Sequence, residues 1–168
     1  MRILLTLLAC VLAVPASAQS ISTNHWYRLT TDFRGNDMCL DVFNGGNKNN
    51  QAQLRECGNY TGQFWRFQQN GEWLRLTTKF RGDDMCLDIF NGGSRNNEPV
   101  LRPCGNYTGQ LWKVWPAGKW VRFTTKFRGD GTCLDVFNGG NRNNQTQLRD
   151  CANYTGQFWK LTKAGRIK

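Results

Sequence analysis

Histidine occurs once in the 168-residue chain, at His25, and no two cysteines form a C-x-x-C pair. A structural zinc site of the usual Cys/His kind therefore has no ligand set, and no histidine base stands near a nucleophile, so neither metal nor cofactor is expected. Acidic residues are in the minority, 12 against 22 Lys and Arg, which gives a formal charge of +10. Past residue 18 there is no low-complexity linker and no stretch with apolar residues at helical spacing. That excludes a helical domain and a string of separately folded beads.

The long apolar run, Ile3 to Val14, is shorter than the roughly 20 residues a bilayer-spanning helix needs. With Met1-Arg2 before it and Pro15-Ala16-Ser17-Ala18 after it, the run reads as a secretory signal peptide over residues 1–18. A secreted protein, extracellular or periplasmic, is expected, with residues 19–25 as a flexible lead-in and no transmembrane segment in the mature chain. Export makes nucleic acid an unsuitable partner for the basic surface, and leaves anionic glycans, anionic membranes or simple solvation to account for it.

What is present is a repeat. Phe33 to Trp65 returns as Phe80 to Trp112 and again as Phe127 to Trp159, each copy displaced by 47 residues without insertion. The units run 26–72, 73–119 and 120–168 inside one domain spanning 26–168. A period in this range marks units that cannot bury their apolar faces alone.

Inside a unit the signal has period two. Tyr27 and Leu29 alternate with Arg28 and Thr30, Leu40 and Val42 with Cys39 and Asp41, and Leu54 with Gln53 and Arg55. Short strands between Gly, Asn and Asp turns, about four per unit, predict an all-β fold of about twelve strands with threefold pseudosymmetry, a β-trefoil. Seven cysteines minus Cys10 leave six, two per unit at a spacing of 18. Six allow fifteen connectivities; the pairing that respects the repeat is Cys39–Cys57, Cys86–Cys104 and Cys133–Cys151.

If Leu40, Val42 and Leu54 face the core, parity sends Cys39, Asp41, Phe43, Gln53 and Arg55 to the opposite face. One carboxylate, one amide, one guanidinium and one ring thus gather beside the Gly45-Gly46 turn. The equivalents are Asp88, Phe90 and Arg102 in the second unit, and Asp135, Phe137, Gln147 and Arg149 in the third. Each ring is either a platform for a sugar face or packing against the disulfide; Tyr60, Tyr107 and Tyr154 are second candidates for the platform. Each arginine either pairs with its aspartate or receives an acidic ligand group.

On Cys-Leu-Asp-Val at 39–42, Cys-Leu-Asp-Ile at 86–89 and Cys-Leu-Asp-Val at 133–136, the chain resembles the ricin B-type lectins. The same holds for Gln63-Phe64-Trp65, Gln110-Leu111-Trp112 and Gln157-Phe158-Trp159. The resemblance implies a β-trefoil in which Trp packs in the core and Gln63, Gln110 and Gln157 support the neighbouring backbone of the carbohydrate site. It also implies that Asp41, Asp88 and Asp135 accept hydrogen bonds from sugar hydroxyls, assisted by Gln53 and Gln147. Val100 stands where the middle unit lacks that glutamine and marks the second pocket as the weakest. Two departures follow: Arg55, Arg102 and Arg149 replace the family's stacking ring, and Gly62, Gly109 and Gly156 replace its asparagine.

One pocket carboxylate per unit cannot supply the paired carboxyl groups of a glycosidase, so no enzyme is expected. The expected function is a secreted, monomeric lectin-like module with up to three weak pockets acting multivalently on glycans or glycoconjugates, acidic ones included. The alternative is a protein-binding trefoil, a protease inhibitor or interaction scaffold, whose least repetitive stretch is Glu98-Pro99-Val100-Leu101-Arg102-Pro103.

Overall fold

The computed structural model describes residues 21–167, so the signal-peptide reading of residues 1–18 lies outside the described residues. Twelve strands follow one another: β1 His25–Thr31, β2 Gly35–Val42, β3 Ala52–Glu56 and β4 Trp65–Asn70 in the first repeat, then β5 Trp73–Thr78, β6 Met85–Ile89, β7 Pro99–Pro103 and β8 Trp112–Ala117 in the second. The third repeat supplies β9 Trp120–Thr125, β10 Thr132–Val136, β11 Thr146–Asp150 and β12 Trp159–Arg166. Four strands per repeat is the number the period-two segments predict.

Six of the strands close on themselves. The order β12-β9-β8-β5-β4-β1 is completed by an antiparallel β1–β12 pairing, which makes a barrel with no free edge among these six strands. The remaining strands form three hairpins, β2–β3, β6–β7 and β10–β11, in the same register: Leu40 faces Leu54, Leu87 faces Leu101 and Leu134 faces Leu148. Barrel plus three hairpins is the β-trefoil.

The hairpins are joined to one another in a cycle. Leu54 N–H donates to the Asn144 carbonyl at 2.6 Å, Leu101 N–H to Asn50 at 2.8 Å and Leu148 N–H to Asn97 at 2.7 Å. The accepting Asn50, Asn97 and Asn144 hold a left-handed backbone, with φ of 69°, 70° and 67° respectively, which turns each carbonyl towards the neighbouring repeat. Asparagine tolerates that conformation better than other side chains, so its recurrence at 50, 97 and 144 has a backbone cause.

The core is aromatic at its centre. Trp65, Trp112 and Trp159 are fully buried, and Phe67, Phe123 and Tyr27 pack among them. Phe123 meets Trp112 and Trp159 edge-on, with ring centroids 6.5 and 6.0 Å apart. A buried indole N–H needs an acceptor, and each finds one in a hairpin: Trp65 donates to the Leu40 carbonyl at 2.8 Å, Trp112 to Leu87 at 2.7 Å and Trp159 to Leu134 at 2.9 Å. The three disulfides pair Cys39 with Cys57, Cys86 with Cys104 and Cys133 with Cys151, one per repeat, with Cα atoms 5.0 Å apart in each.

Repetition fails at the middle of the hairpin cap. Gln51, Glu98 and Gln145 occupy equivalent buried positions, and the carboxylate of Glu98 accepts from Gln51 Nε2 at 2.5 Å, from Arg95 Nε at 3.4 Å and from Arg142 Nη2. The least repetitive stretch of the sequence is therefore mostly interior: Glu98 to Leu101 are buried, and only Arg102 and Pro103 are exposed. An inhibitor loop, which must project, is not formed there.

Trp112→Phe tests the indole bond. It removes the donor and leaves the buried Leu87 carbonyl unpaired, for an expected loss of about 2 kcal/mol or more. Urea denaturation should show a lower midpoint at unchanged slope; an unchanged midpoint would show that the bond contributes nothing.

Candidate functional site

Asp41, Asp88 and Asp135 each stand one residue before the end of a hairpin strand, and each forms the floor of a cleft. The three clefts have volumes of about 340, 320 and 350 Å³. The first is lined by Asp41, Arg55, Asn59, Tyr60, Thr61, Gly62 and Phe80 among others, and the other two repeat those residue types. One wall always comes from the next repeat: Phe80 beside Asp41, Phe127 beside Asp88, and Phe33 beside Asp135. Each cleft is thus built by two repeats.

The floor carboxylates are held from inside the protein. Asp41 Oδ1 accepts from Val42 N–H at 2.7 Å, and Oδ2 accepts from Gln63 Nε2 at 3.2 Å. Ile89 and Gln110 do the same for Asp88, as do Val136 and Gln157 for Asp135. Gln63 also donates to the Glu56 carbonyl at 2.9 Å and accepts from Gly58 N–H at 2.8 Å. Fully buried, it ties strand end, cysteine loop and floor together and positions the carboxylate without reaching the cleft itself.

This posture requires the glycine beside it. A Cβ on Gly62 would lie 2.2 Å from Asp41 Oδ1, and Gly109 and Gly156 stand in the same relation to Asp88 and Asp135. The departure from the family's asparagine and the inward fold of the carboxylate are one feature. At the rim, Tyr60, Tyr107 and Tyr154 are 53%, 61% and 50% exposed, large for rings in a folded chain.

Parity predicts part of this. Asp41 and Arg55 do share a face, with Arg55 Nε 3.5 Å from Asp41 Oδ2, and Arg149 meets Asp135 at the same distance. Arg102 makes no such pair; its guanidinium lies 4.6 Å above the Phe90 ring. The aspartates do not project outward but are buried at the floor, because each caps its own strand end.

Phe43, Phe90 and Phe137 are not among the lining residues. Each lies one residue beyond its strand, where alternation no longer governs direction, and each is faced by a cation: Lys48 at 5.5 Å, Arg95 at 3.9 Å and Arg142 at 3.6 Å. Gln53 and Gln147 also lie off the lining, opposite Asp41 and Asp135 in the hairpin register. Phe33, Phe80 and Phe127 were missed as wall residues. Their one signal is a repeated Phe-Arg-Gly, whose Phe and Arg lie in a turn in all three copies.

A larger cleft, about 400 Å³, lies elsewhere, lined by residues that include Ile21, Glu72, Leu74, Lys113 and Trp115. It is not repeated, since Gln68 and Thr162 stand where Trp115 does in the other units, and its carboxylate, Glu72, is exposed and paired with Lys113 at 3.7 Å. The repeated clefts carry the fixed polar groups that recognition requires. Among the described residues no group of three or more His, Cys, Asp or Glu is placed to hold a metal ion, and no helix is long and apolar enough to cross a membrane.

Gly62→Ala tests the close approach. The new methyl collides with Asp41 Oδ1, and an expected loss of about 1–3 kcal/mol should appear in thermal or urea denaturation. Gly131→Ala, where a Cβ meets nothing within 4 Å, is the control and should stay near neutral. Equal effects of the two would remove the argument.

Comparison by sequence with curated proteins finds no match. Solved structures share the fold. A designed threefold-symmetric protein, ThreeFoil, superposes with a TM-score of 0.67 at 19% identity, over 81% of this chain and 96% of that one. A ricin B-like lectin of Macrolepiota procera, solved in complex with lactose, gives 0.66 at 18% identity over 87% and 100%. A Polyporus squamosus lectin, solved with the human-type influenza-binding epitope Neu5Acα2-6Galβ1-4GlcNAc, gives 0.68 at 15% identity over 86% of this chain and 50% of its own longer one. The profile of the ricin-type β-trefoil lectin domain matches residues 25–136. Twelve strands, three Cys-x-Asp corners and three Gln-x-Trp anchors agree with that match, and the chain belongs to the ricin-type β-trefoil lectin family, whose fold is a carbohydrate-binding one.

Proposed function

We propose that the protein is a secreted, non-enzymatic, carbohydrate-binding module, released by cleavage after residue 18, that holds glycans in up to three shallow clefts. The observation that carries this reading is the threefold recurrence of a buried, internally braced carboxylate beneath an exposed tyrosine. A pyranose needs an apolar surface for its C–H face and a few fixed acceptors and donors for its hydroxyls. Tyr60 with Phe80 supplies the surface; Asp41, Asn59 and Thr61 supply the polar groups. The lactose complex of the Macrolepiota lectin supports the ligand class.

Each cleft is small and open, so single-site affinity falls in about the millimolar to micromolar range. The three sites are related by the pseudo-threefold arrangement and face different directions, which favours polyvalent surfaces over free sugars through avidity. Acidic glycans join the ligand set through Arg55 and Arg149, whose terminal amino groups make no hydrogen bond among the described residues and whose forks suit a carboxylate or sulfate.

A glycan array probed with purified protein tests the reading, with binding expected to neutral or acidic saccharides displayed at high density. Tyr60→Ala, Tyr107→Ala and Tyr154→Ala together should lower that binding about tenfold, in line with the loss of ring stacking at each site. No binding at any density, or full binding by the triple variant, would defeat the proposal.

A further inference from the structure

The three clefts are not equivalent, and their difference can be traced to one position. In the first and third, an arginine lies between the floor carboxylate and the rim: Arg55 reaches Asp41 and stacks on Tyr60 at 5.0 Å, and Arg149 reaches Asp135 and stacks on Tyr154 at 4.9 Å. The same side chain thus occupies both the acceptor and the ring that a sugar would use. In the second cleft Arg102 still lines the wall, but its guanidinium lies over Phe90, a ring it shares with Arg95, and reaches neither Asp88 nor Tyr107. Asp88 keeps its bonds to Ile89 N–H and Gln110 but has no cationic partner among the described residues, and Tyr107 has the greatest exposure of the three tyrosines.

Position 100 is where the second hairpin differs beside its aspartate. The residue paired with the aspartate is Gln53 in the first repeat, the buried Val100 in the second and Gln147 in the third. In the two repeats with glutamine there, Arg55 and Arg149 stay on their aspartates. In the repeat with the shorter valine, the guanidinium lies instead on the Phe90 face, a favourable place for a cation.

We infer that the middle cleft is the site that neutral saccharides enter first: the outer two are no smaller, at about 340 and 350 Å³ against 320 Å³, but their acceptor and ring are engaged by their own arginines until these are displaced. The inference rests on the lectin reading above and reverses the ranking expected from the missing glutamine. Residues 53, 100 and 147 then act as the switch: glutamine closes a cleft, valine opens it.

The backbone amides of Val42, Ile89 and Val136 donate to the three floor carboxylates and report on each cleft separately. In a titration of the ¹⁵N-labelled protein with lactose, and with any neutral glycan the array returns, the Ile89 amide should shift at about tenfold lower concentration than the other two. Arg55→Ala with Arg149→Ala, at half-exposed positions that should leave folding intact, should bring Val42 and Val136 to the concentration of Ile89. Val100→Gln should carry Ile89 the opposite way. Simultaneous titration of all three amides in the unmodified protein, or indifference of Val42 and Val136 to the arginine changes, would overturn the inference while leaving the lectin reading in place. No shift with any glycan would instead defeat the lectin reading itself, and the inference with it.

Discussion

A buried indole N–H has to be paired, and the pairing chosen here organises the molecule. Trp65 sits in a barrel strand and donates to Leu40 in a hairpin, so one hydrogen bond joins the two layers of the fold in each repeat. The residue after the accepting leucine is Asp41, and the residue two before the tryptophan is Gln63, which braces that same aspartate. Core and cleft are therefore set by a single short motif. The geometry of the cleft floor cannot drift without disturbing the centre of the barrel.

Repetition made most of this readable in advance. Three copies at constant spacing gave the disulfide pairing, the number of strands and the position of the aspartates, because each error would have had to occur three times. Contacts between copies were harder to see. Phe80 stands far along the chain from Asp41 and belongs to another unit, so no pattern within one unit placed it in the wall. Alternation failed at Phe43 for a local reason, the end of the strand at Val42. It sent Asp41 to the correct side of the hairpin but could not show that the side chain folds back against its own backbone, which depends on Gly62 having no Cβ.

The departures from symmetry are as informative as the symmetry. Glu98 brings one carboxylate into a cap otherwise lined with amides, and two arginines gather on it, one from its own repeat and one from the next. Two residues later stands Val100 in place of glutamine, in the repeat where Arg102 lies over Phe90 and not on its aspartate. Glu98 immediately precedes β7 and Val100 lies in it, so both differences fall within three residues of the middle repeat. The copies differ at these cap and cleft positions and also at barrel positions such as Leu29, Leu76 and Phe123, whereas the hairpin leucines and the three anchoring tryptophans are the same in all three.

The cycle of hairpin bonds has a further meaning in terms of counting. Each repeat offers one carbonyl to a neighbour and takes one from the other, and the donor in the first repeat is satisfied by Asn144 in the last. Removal of the third repeat would break this ring, since Leu54 N–H would lose the Asn144 carbonyl and the Asn97 carbonyl would lose Leu148 N–H. With three repeats every one of these donors has its acceptor. The cap is thus held by a ring of backbone hydrogen bonds in which the first and last repeats are neighbours, as they are in the barrel through the β1–β12 pairing.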